Sequence, residues 1–449
     1  MCTFRFIACL WLGLIAVLAA EETEDITVRL PTQTRLLPLY LADLSSHDTE
    51  FSTDYLAQLE EVLAFDLAHN GITQLAAHTP ERKALTAKTA DLDAWKQEGV
   101  LYVVLPRVEA NHLSVRFLNL ANGSQHELDD ITLSGSLAKD RRSVHRVADA
   151  LHQALFGQPG IARTRLLFTK RVFDTSSSKY LSEIWEADYD GGNARQVTSE
   201  GAYCVTPVFL SAEAGKKSQQ FLYVSYKTGQ PKIMHASLAN GHGQRVTSLR
   251  GNQLLPAASP QRDRIAFICD VAGNADLFVQ PFDLHTGVTG KPQQIFSLKR
   301  STQGSPSFSP NGERIAFVSN KAGPAKIYVM DVPLPGAKIK DLSPTLISVK
   351  ARNGTAPCWS PDGSKIAFCS RTHGVRQIWM YDFETGQEYQ LTRGPGHKEN
   401  PSWALNSLHL VYNSANPDDA ELFLLDLHSL KPVQLQLGDG EKHYPSWGI

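Results

Sequence analysis

Short aliphatic-aromatic runs separated by turn-forming residues fill the carboxy-terminal two thirds of the chain; Ile315-Ala316-Phe317-Val318 and Ile327-Tyr328-Val329-Met330-Asp331 are typical. Runs this short, bounded by Gly, Pro, Asn and Asp, read as β-strands rather than helices. Each group of runs opens on a proline, and these prolines (Pro207, Pro256, Pro306, Pro357, Pro401 and Pro445) are separated by 49, 50, 51, 44 and 44 residues. A period of that size marks a solenoid or a propeller. Each full unit is a proline strand, a tight turn and three further short strands, which is one blade of a β-propeller.

The turns account for the hairpins. In Ser360-Pro361-Asp362-Gly363 and Ser309-Pro310-Asn311-Gly312, proline presets φ, the Asp or Asn can bond nearby backbone, and glycine accepts a left-handed conformation. From Pro256, Pro306, Pro357 and Pro401 the aromatic of the next strand lies 11 residues on, at Phe267, Phe317, Phe368 and Tyr412. An insertion at Glu213 to Gln220 moves Tyr223 to 16 residues after Pro207. The last unit is truncated, since Tyr444-Pro445-Ser446-Trp447 begins a blade and the sequence stops at Ile449. Its missing strands match Leu166 to Thr169, Ile184 to Asp188 and Arg195 to Thr198. Five intact blades and one shared by both ends give a closed ring of six, which leaves no long exposed sheet edge.

Residues 34–160 follow a different pattern. Thr34 to Leu41 reads as a strand, and a helix starts at Ser52 or Thr53 with Leu56, Leu59, Leu63 and Leu67 on one face, stopping at Gly71. Asp91 to Glu98 and Ser136 to Phe156 read as further helices, and Ile72 to Ala76, Val100 to Val108, Leu113 to Leu120 and His126 to Leu133 as strands. The leucines are core and carry no cofactor signature. The predicted architecture is an all-β six-bladed β-propeller over residues 161–449, preceded by a small α+β domain with a mixed sheet.

At the amino terminus, Arg5, an apolar stretch from Phe6 to Leu18, and Ala19-Ala20 have the form of a secretory signal over residues 1–20. The segment at residues 21–33 reads as a flexible tail, or as a peptide that adds itself to a partner's sheet edge. A net charge of −2 with 20% charged residues provides no basic field for nucleic acid. The four cysteines beyond the signal, Cys204, Cys269, Cys358 and Cys369, are too few for a disulfide framework and are expected as buried thiols. No metal-ligand spacing and no nucleophile elbow is present, so no cofactor and no small-molecule substrate is expected.

Binding on a propeller falls to the loops around its channel. The Pro-Asp-Gly turns are short and alike and suit a quiet face; the loops entering the proline strands differ from blade to blade. They place Tyr203, Asn252, Gln253, Thr302, Gln303, Arg352, Asn353, His397, Lys398, Glu399, Glu441, Lys442 and His443 at the channel mouth, a mixed-charge ring suited to a polar loop of another protein. Two alternatives keep the same residues: Glu399 and Glu441 as a glycosidase pair, set against ion pairs with Lys398 and Lys442, and a cation held in the channel.

The junction Gly160-Ile161-Ala162-Arg163-Thr164-Arg165, the Asp188-Tyr189-Asp190-Gly191 turn, the Ser360 to Phe368 repeat and the terminal Pro445-Ser446-Trp447 together resemble the TolB family of the Tol-Pal system over nearly the whole mature chain. That resemblance implies a monomeric, non-enzymatic periplasmic protein serving outer-membrane integrity and cell division. It implies docking of the peptidoglycan-associated lipoprotein Pal on the propeller mouth, with Asn252, Leu255 and Gly304 as candidate contacts by position. It also implies docking of the inner-membrane protein TolA through Ile26, Thr27, Val28, Arg29 and Leu30.

Overall fold

The amino-terminal sheet is built from β1 (Leu37–Leu41), β2 (Ser45–His47), β3 (Thr73–Leu75), β4 (Tyr102–Glu109), β5 (His112–Asn119) and β6 (Ser124–Thr132), in the order β3-β1-β4-β5-β6 with β2 also on β4. Pairs β1–β3, β1–β4 and β2–β4 are parallel, and β4–β5 and β5–β6 antiparallel, so the sheet is mixed as expected. The computed structural model describes residues 35–88, 91–212, 216–283, 287–288, 290–333, 342–416 and 419–448. Both the expected signal and the segment holding Ile26 to Leu30 lie outside them. Among the described residues no helix is long and apolar enough to cross a membrane.

Helices α1 (Thr53–Ala68), α2 (Pro80–Leu85), α3 (Leu92–Gln97) and α4 (Leu137–Phe156) complete this domain. Ser52 caps α1 by accepting the Tyr55 N–H at 3.2 Å, and Leu56, Leu59, Leu63 and Leu67 are all buried. α1 packs along α4, whose Val144, Val147, Ala148 and Leu151 form the facing stripe. Helix α2 was not expected from the periodicity, because none of its residues is buried. Its signal is local: Thr79 accepts the Arg82 N–H at 3.2 Å and Pro80 sits in the first turn, the positions where both residue types favour a helix start.

The propeller has six four-stranded blades, the second with one added strand among the described residues. Their innermost strands are Cys204–Phe209, Gln253–Ala258, Gln303–Phe308, Arg352–Trp359, Lys398–Trp403 and Glu441–Gly448. The repeated aromatics Phe168, Tyr223, Phe267, Phe317, Phe368 and Tyr412 are at most 1% exposed, because each second strand is sandwiched between neighbouring blades. The seam forms as the repeats require. Glu441–Gly448 pairs antiparallel with β7 (Arg165–Asp174), setting Trp447 opposite Leu166 and Gly448 opposite Arg165.

The turn face is not quiet, contrary to expectation: it carries the α+β domain, at blades 5 and 6. One hydrophobic core runs from Leu59, Val104 and Leu151 through Ile161 and Ala162 to Ala404, Leu435 and Trp447. Polar contacts reinforce it. Asp149 of α4 accepts the Ala162 N–H at 2.9 Å, and the Arg163 N–H and Nε at 3.2 and 2.8 Å. Thr164 donates to Ile161 O and accepts Trp447 Nε1–H at 2.8 Å, and Arg165 pairs with Glu186. A Cβ on Gly160 would overlap the Asp149 carboxylate. The junction motif is thus the joint between the domains, and its glycine is a matter of space rather than of φ.

Candidate functional site

The mouth is shaped by one device used six times. Thr206, Leu255, Ser305, Ala356, Asn400 and Tyr444, each directly before a blade proline, all have φ between 41° and 53°. Each innermost strand shifts register at that point, between Val205/Val208, Leu254/Ala257, Gly304/Ser307, Thr355/Cys358, Glu399/Ser402 and His443/Ser446. These are β-bulges, which bend a strand and re-aim its side chains and gather next to functional sites. A non-glycine residue at positive φ is strained. The six strained residues and their prolines line the channel, a cavity of about 230 Å³. No acidic side chain is among the described residues lining it, so it offers a cation no carboxylate.

On the rim above, Tyr203, Thr302, Arg352 and Asn353 are exposed, while Asn252, Leu255, Gly304, His397, Lys398, Glu399, Glu441 and His443 are half-buried. Tyr203 stacks edge-on against Tyr226 at 5.6 Å. Asn252 donates to Asp270 at 2.7 Å, and His397 Nδ1 accepts the Arg376 N–H at 3.0 Å. Three residues placed at the mouth by sequence are withdrawn from it. Gln253 is fully buried, donating to Leu249 O and accepting the Ile233 N–H. Gln303 is buried and accepts from Ser319 Oγ at 2.9 Å. Lys442 is 1% exposed, with its ammonium 2.7 Å from Glu421. All three lie within innermost strands, where alternate side chains turn into the ring.

The same alternation corrects the ion pairs. Glu399 pairs with Arg376, and Glu441 with Arg171 at 2.6 Å and His443 at 3.2 Å; neither pairs with the neighbouring lysine. Lys398 donates instead to the carbonyls of Pro395 and Gly396 at 2.7 and 2.9 Å. Burial pushes the Glu441 carboxyl up, but Arg171 and His443 outweigh it and hold it below its ordinary value. A glycosidase's general acid needs the opposite shift.

Sequence reasoning missed an apolar projection at the rim. β7 and its partner β8 (Lys179–Asp188) continue past the start of the Glu441 strand, because Arg171 pairs with Glu441 and the ladder runs on to Asp174–Lys179. The projecting hairpin exposes Phe173 by 50%, Tyr180 by 55% and Val172 by 44%. Phe173 and Tyr180 stack edge-on at 5.2 Å, and Arg171 lies over the Tyr180 ring. The signal was present: the stretch Arg171-Val172-Phe173-Asp174 follows the repeat strand with no break.

On the opposite face, Asp66 of α1, His145 of α4 and Asp188-Tyr189-Asp190 of blade 6 form a buried knot. His145 Nδ1 lies 2.8 Å from Asp66, Tyr189 donates to Asp66 at 2.8 Å, and Arg141 pairs with Asp190. Burial alone would push the imidazole down, but Asp66, Asp190 and Asp188 outweigh it and hold His145 above its ordinary value. Burial pushes Asp66 up to about 6. Asp66, His145 and Asp190 come within 4.8 Å of one another, close enough for a metal, yet Arg141 and Tyr189 already occupy the carboxylates. The arrangement is a charged clamp between domains.

The described residues thus form a six-bladed β-propeller closed at the Glu441–Gly448/β7 seam, with its turn face covered by an α+β domain and a bulged mouth on the other face. Residues 152–449 match the family model "TolB beta propeller domain". The chain is 49% identical over 404 residues to "Protein TolB homolog" of Protochlamydia amoebophila, covering 88% of this chain and 86% of that one. It is 37% identical over 378 residues to the same-named protein of Chlamydia pneumoniae, covering 84% and 82%. Its fold matches the crystal structure of TolB from Acinetobacter baumannii with a TM-score of 0.73 at 21% identity, over 92% of this chain and 97% of that one. The chain belongs to the TolB family of the Tol-Pal system.

Proposed function

We propose that this chain is the exported, non-catalytic scaffold of a Tol-Pal envelope system, acting as a monomer in the periplasm. Its propeller mouth docks a Pal-like peptidoglycan-associated lipoprotein. Its amino-terminal segment, at Ile26 to Leu30, takes a TolA-like inner-membrane protein. The two attachments together support outer-membrane integrity and constriction during division. The observation that carries the reading is the ring of six pre-proline bulges, which holds a rigid, strained mouth on the face away from the α+β domain. Around it lie Tyr203, Phe173, Tyr180 and Arg352, aromatic and arginine side chains of the kind that dominate binding energy at interfaces.

The test is calorimetry of the mature chain with the soluble domain of the lipoprotein from the same organism, at low and moderate salt. Saturable one-to-one binding is expected at both. The absence of heat and of co-elution at both would refute the docking. Against a glycosidase stands the carboxylate pairing above: Glu399 and Glu441 each face an arginine, so neither is poised as a proton donor.

A further inference from the structure

A second crevice lies where α4 meets blades 6 and 1, with a volume of about 710 Å³, and seven cationic side chains line it against three carboxylates. This imbalance is local, since the whole chain carries a net charge of −2. The three carboxylates are already engaged. Glu186 pairs with both Arg165 and Arg195. Asp140 accepts from Ser134 N–H at 2.9 Å and from the Tyr55 hydroxyl at 2.6 Å. Asp188 accepts from Asn193 at 2.6 Å and faces His145. Arg163 shares Asp149. Lys139, Arg142, Arg146 and Lys217 are left with no carboxylate in ion-pair range among the described residues.

Three of these four stand on α4 at positions 139, 142 and 146, one helix face, within its amino-terminal half. Like charges at i,i+3 and i,i+4 repel, and cations near a helix amino terminus oppose its dipole. Lys217, exposed on the other wall, has its ammonium pushed below the ordinary value by partial desolvation and by Arg165, Arg142 and Arg163, against the pull of Asp188. A crevice that gathers exposed cations from two domains is a region of positive potential that favours an entering anion.

We propose that this crevice binds a small, multiply charged oxyanion of the diphosphate class, gripped between α4 and the propeller by Arg142, Arg146, Lys139 and Lys217. Guanidinium groups suit the site because their forked donors match phosphoryl oxygens in pairs. The cavity is large enough for a diphosphate with a substituent attached. Occupancy would cross-link the domains and stabilise the folded chain by linkage.

Pyrophosphate is the probe, titrated into the mature chain by calorimetry at fixed low ionic strength. One site is expected, with affinity that falls as sodium chloride rises and a rise in the unfolding midpoint on saturation. Arg142→Glu with Lys217→Glu should weaken binding by at least about tenfold, while Arg142→Lys with Lys217→Arg should retain it. Without pyrophosphate, the charge-reversed protein should unfold near the parent midpoint, because relief of repulsion among the cations offsets the lost attraction of Arg142 and Lys217 to Asp188. No binding by the parent, or equal binding by the charge-reversed protein, would overturn the proposal. None of these results depends on the lipoprotein.

Discussion

The two faces of the ring differ in how they treat polar groups. On the face that carries the α+β domain, Asp66, His145, Asp149 and Thr164 are buried and hydrogen-bonded to one another or to backbone, and a continuous apolar core surrounds them. At the mouth, backbone strain is retained in six positions and aromatic side chains stand in water. A docked face gains by pairing most of the groups it buries, although His145 Nε2, His152 Nδ1 and His409 Nε2 stay without a hydrogen-bond partner; a face kept for another protein leaves its apolar and charged groups for that partner to cover. Substitutions on the first face should therefore act on stability, and on the second mainly on affinity.

The largest expected effect is Trp447→Ala. Trp447 is 8% exposed, pairs across the seam with Leu166 and bonds Thr164 at the domain joint. Emptying that site should cost about 3–5 kcal/mol in urea unfolding. Lipoprotein binding should fall only in proportion to unfolded protein. A loss below about 0.5 kcal/mol, the scale of an ordinary surface change, would show that the seam does not hold the ring.

Next comes His145→Ala, which strands Asp66 without its cation and should cost about 3 kcal/mol. The pH dependence gives the sign. The folded pKa of His145 lies above its ordinary 6.5, so its contribution is complete below about pH 6.5 and is lost as pH rises through the folded value. Asp66, raised to about 6, acts in the same direction. His409, buried beneath Gly71, acts in the other: burial pushes it down to about 4, so its contribution is present above 6.5 and lost as pH falls toward that value. The difference in midpoint between parent and His145→Ala should be greatest near pH 6 and shrink at pH 9. A difference that grows with pH would mean a neutral imidazole.

At the mouth, Phe173→Ala and Arg352→Glu should leave the unfolding midpoint within error, as both side chains are exposed. Lipoprotein affinity should fall by about tenfold for either, the scale of a modest hot spot. A lowered midpoint with unchanged affinity would reverse the assignment of the two faces.

Much of this comparison was legible in the residues. The proline period and the 11-residue spacing implied six blades, and the truncated last unit placed the seam between Tyr444 to Trp447 and Leu166 to Thr169, while the register itself came only with the structure. Leucine spacing and Gly71 outlined α1 in the same way. What could not be read was where strand side chains turn: Gln253, Gln303 and Lys442 are polar in sequence yet buried, since their hydrogen-bond partners lie on other strands. The bulges were equally hidden, because a pre-proline Thr, Leu, Ser, Ala, Asn or Tyr carries no common chemical mark of positive φ. Arg262 and Ser407, at φ of 63° and 55°, likewise stand where other repeats use the turn glycine.

The smallest effect has the opposite sign to all the rest. Ala356 sits at φ +48° before Pro357 and lines the channel. Its Cβ costs roughly 1–2 kcal/mol in the left-handed region, and glycine would remove that cost while adding roughly 0.5–1 kcal/mol of freedom to the unfolded chain. Ala356→Gly should therefore stabilise the propeller by about 0.5 kcal/mol, read as a higher urea midpoint with unchanged slope. Gly160→Ala on the other face should do the reverse, because its new Cβ would lie 3.1 Å from the Asp149 Cα and press on the carboxylate that holds the joint. Should Ala356→Gly lower the midpoint instead, the pre-proline bulges would be relaxed, and the contrast between a strained mouth and a packed joint would fail.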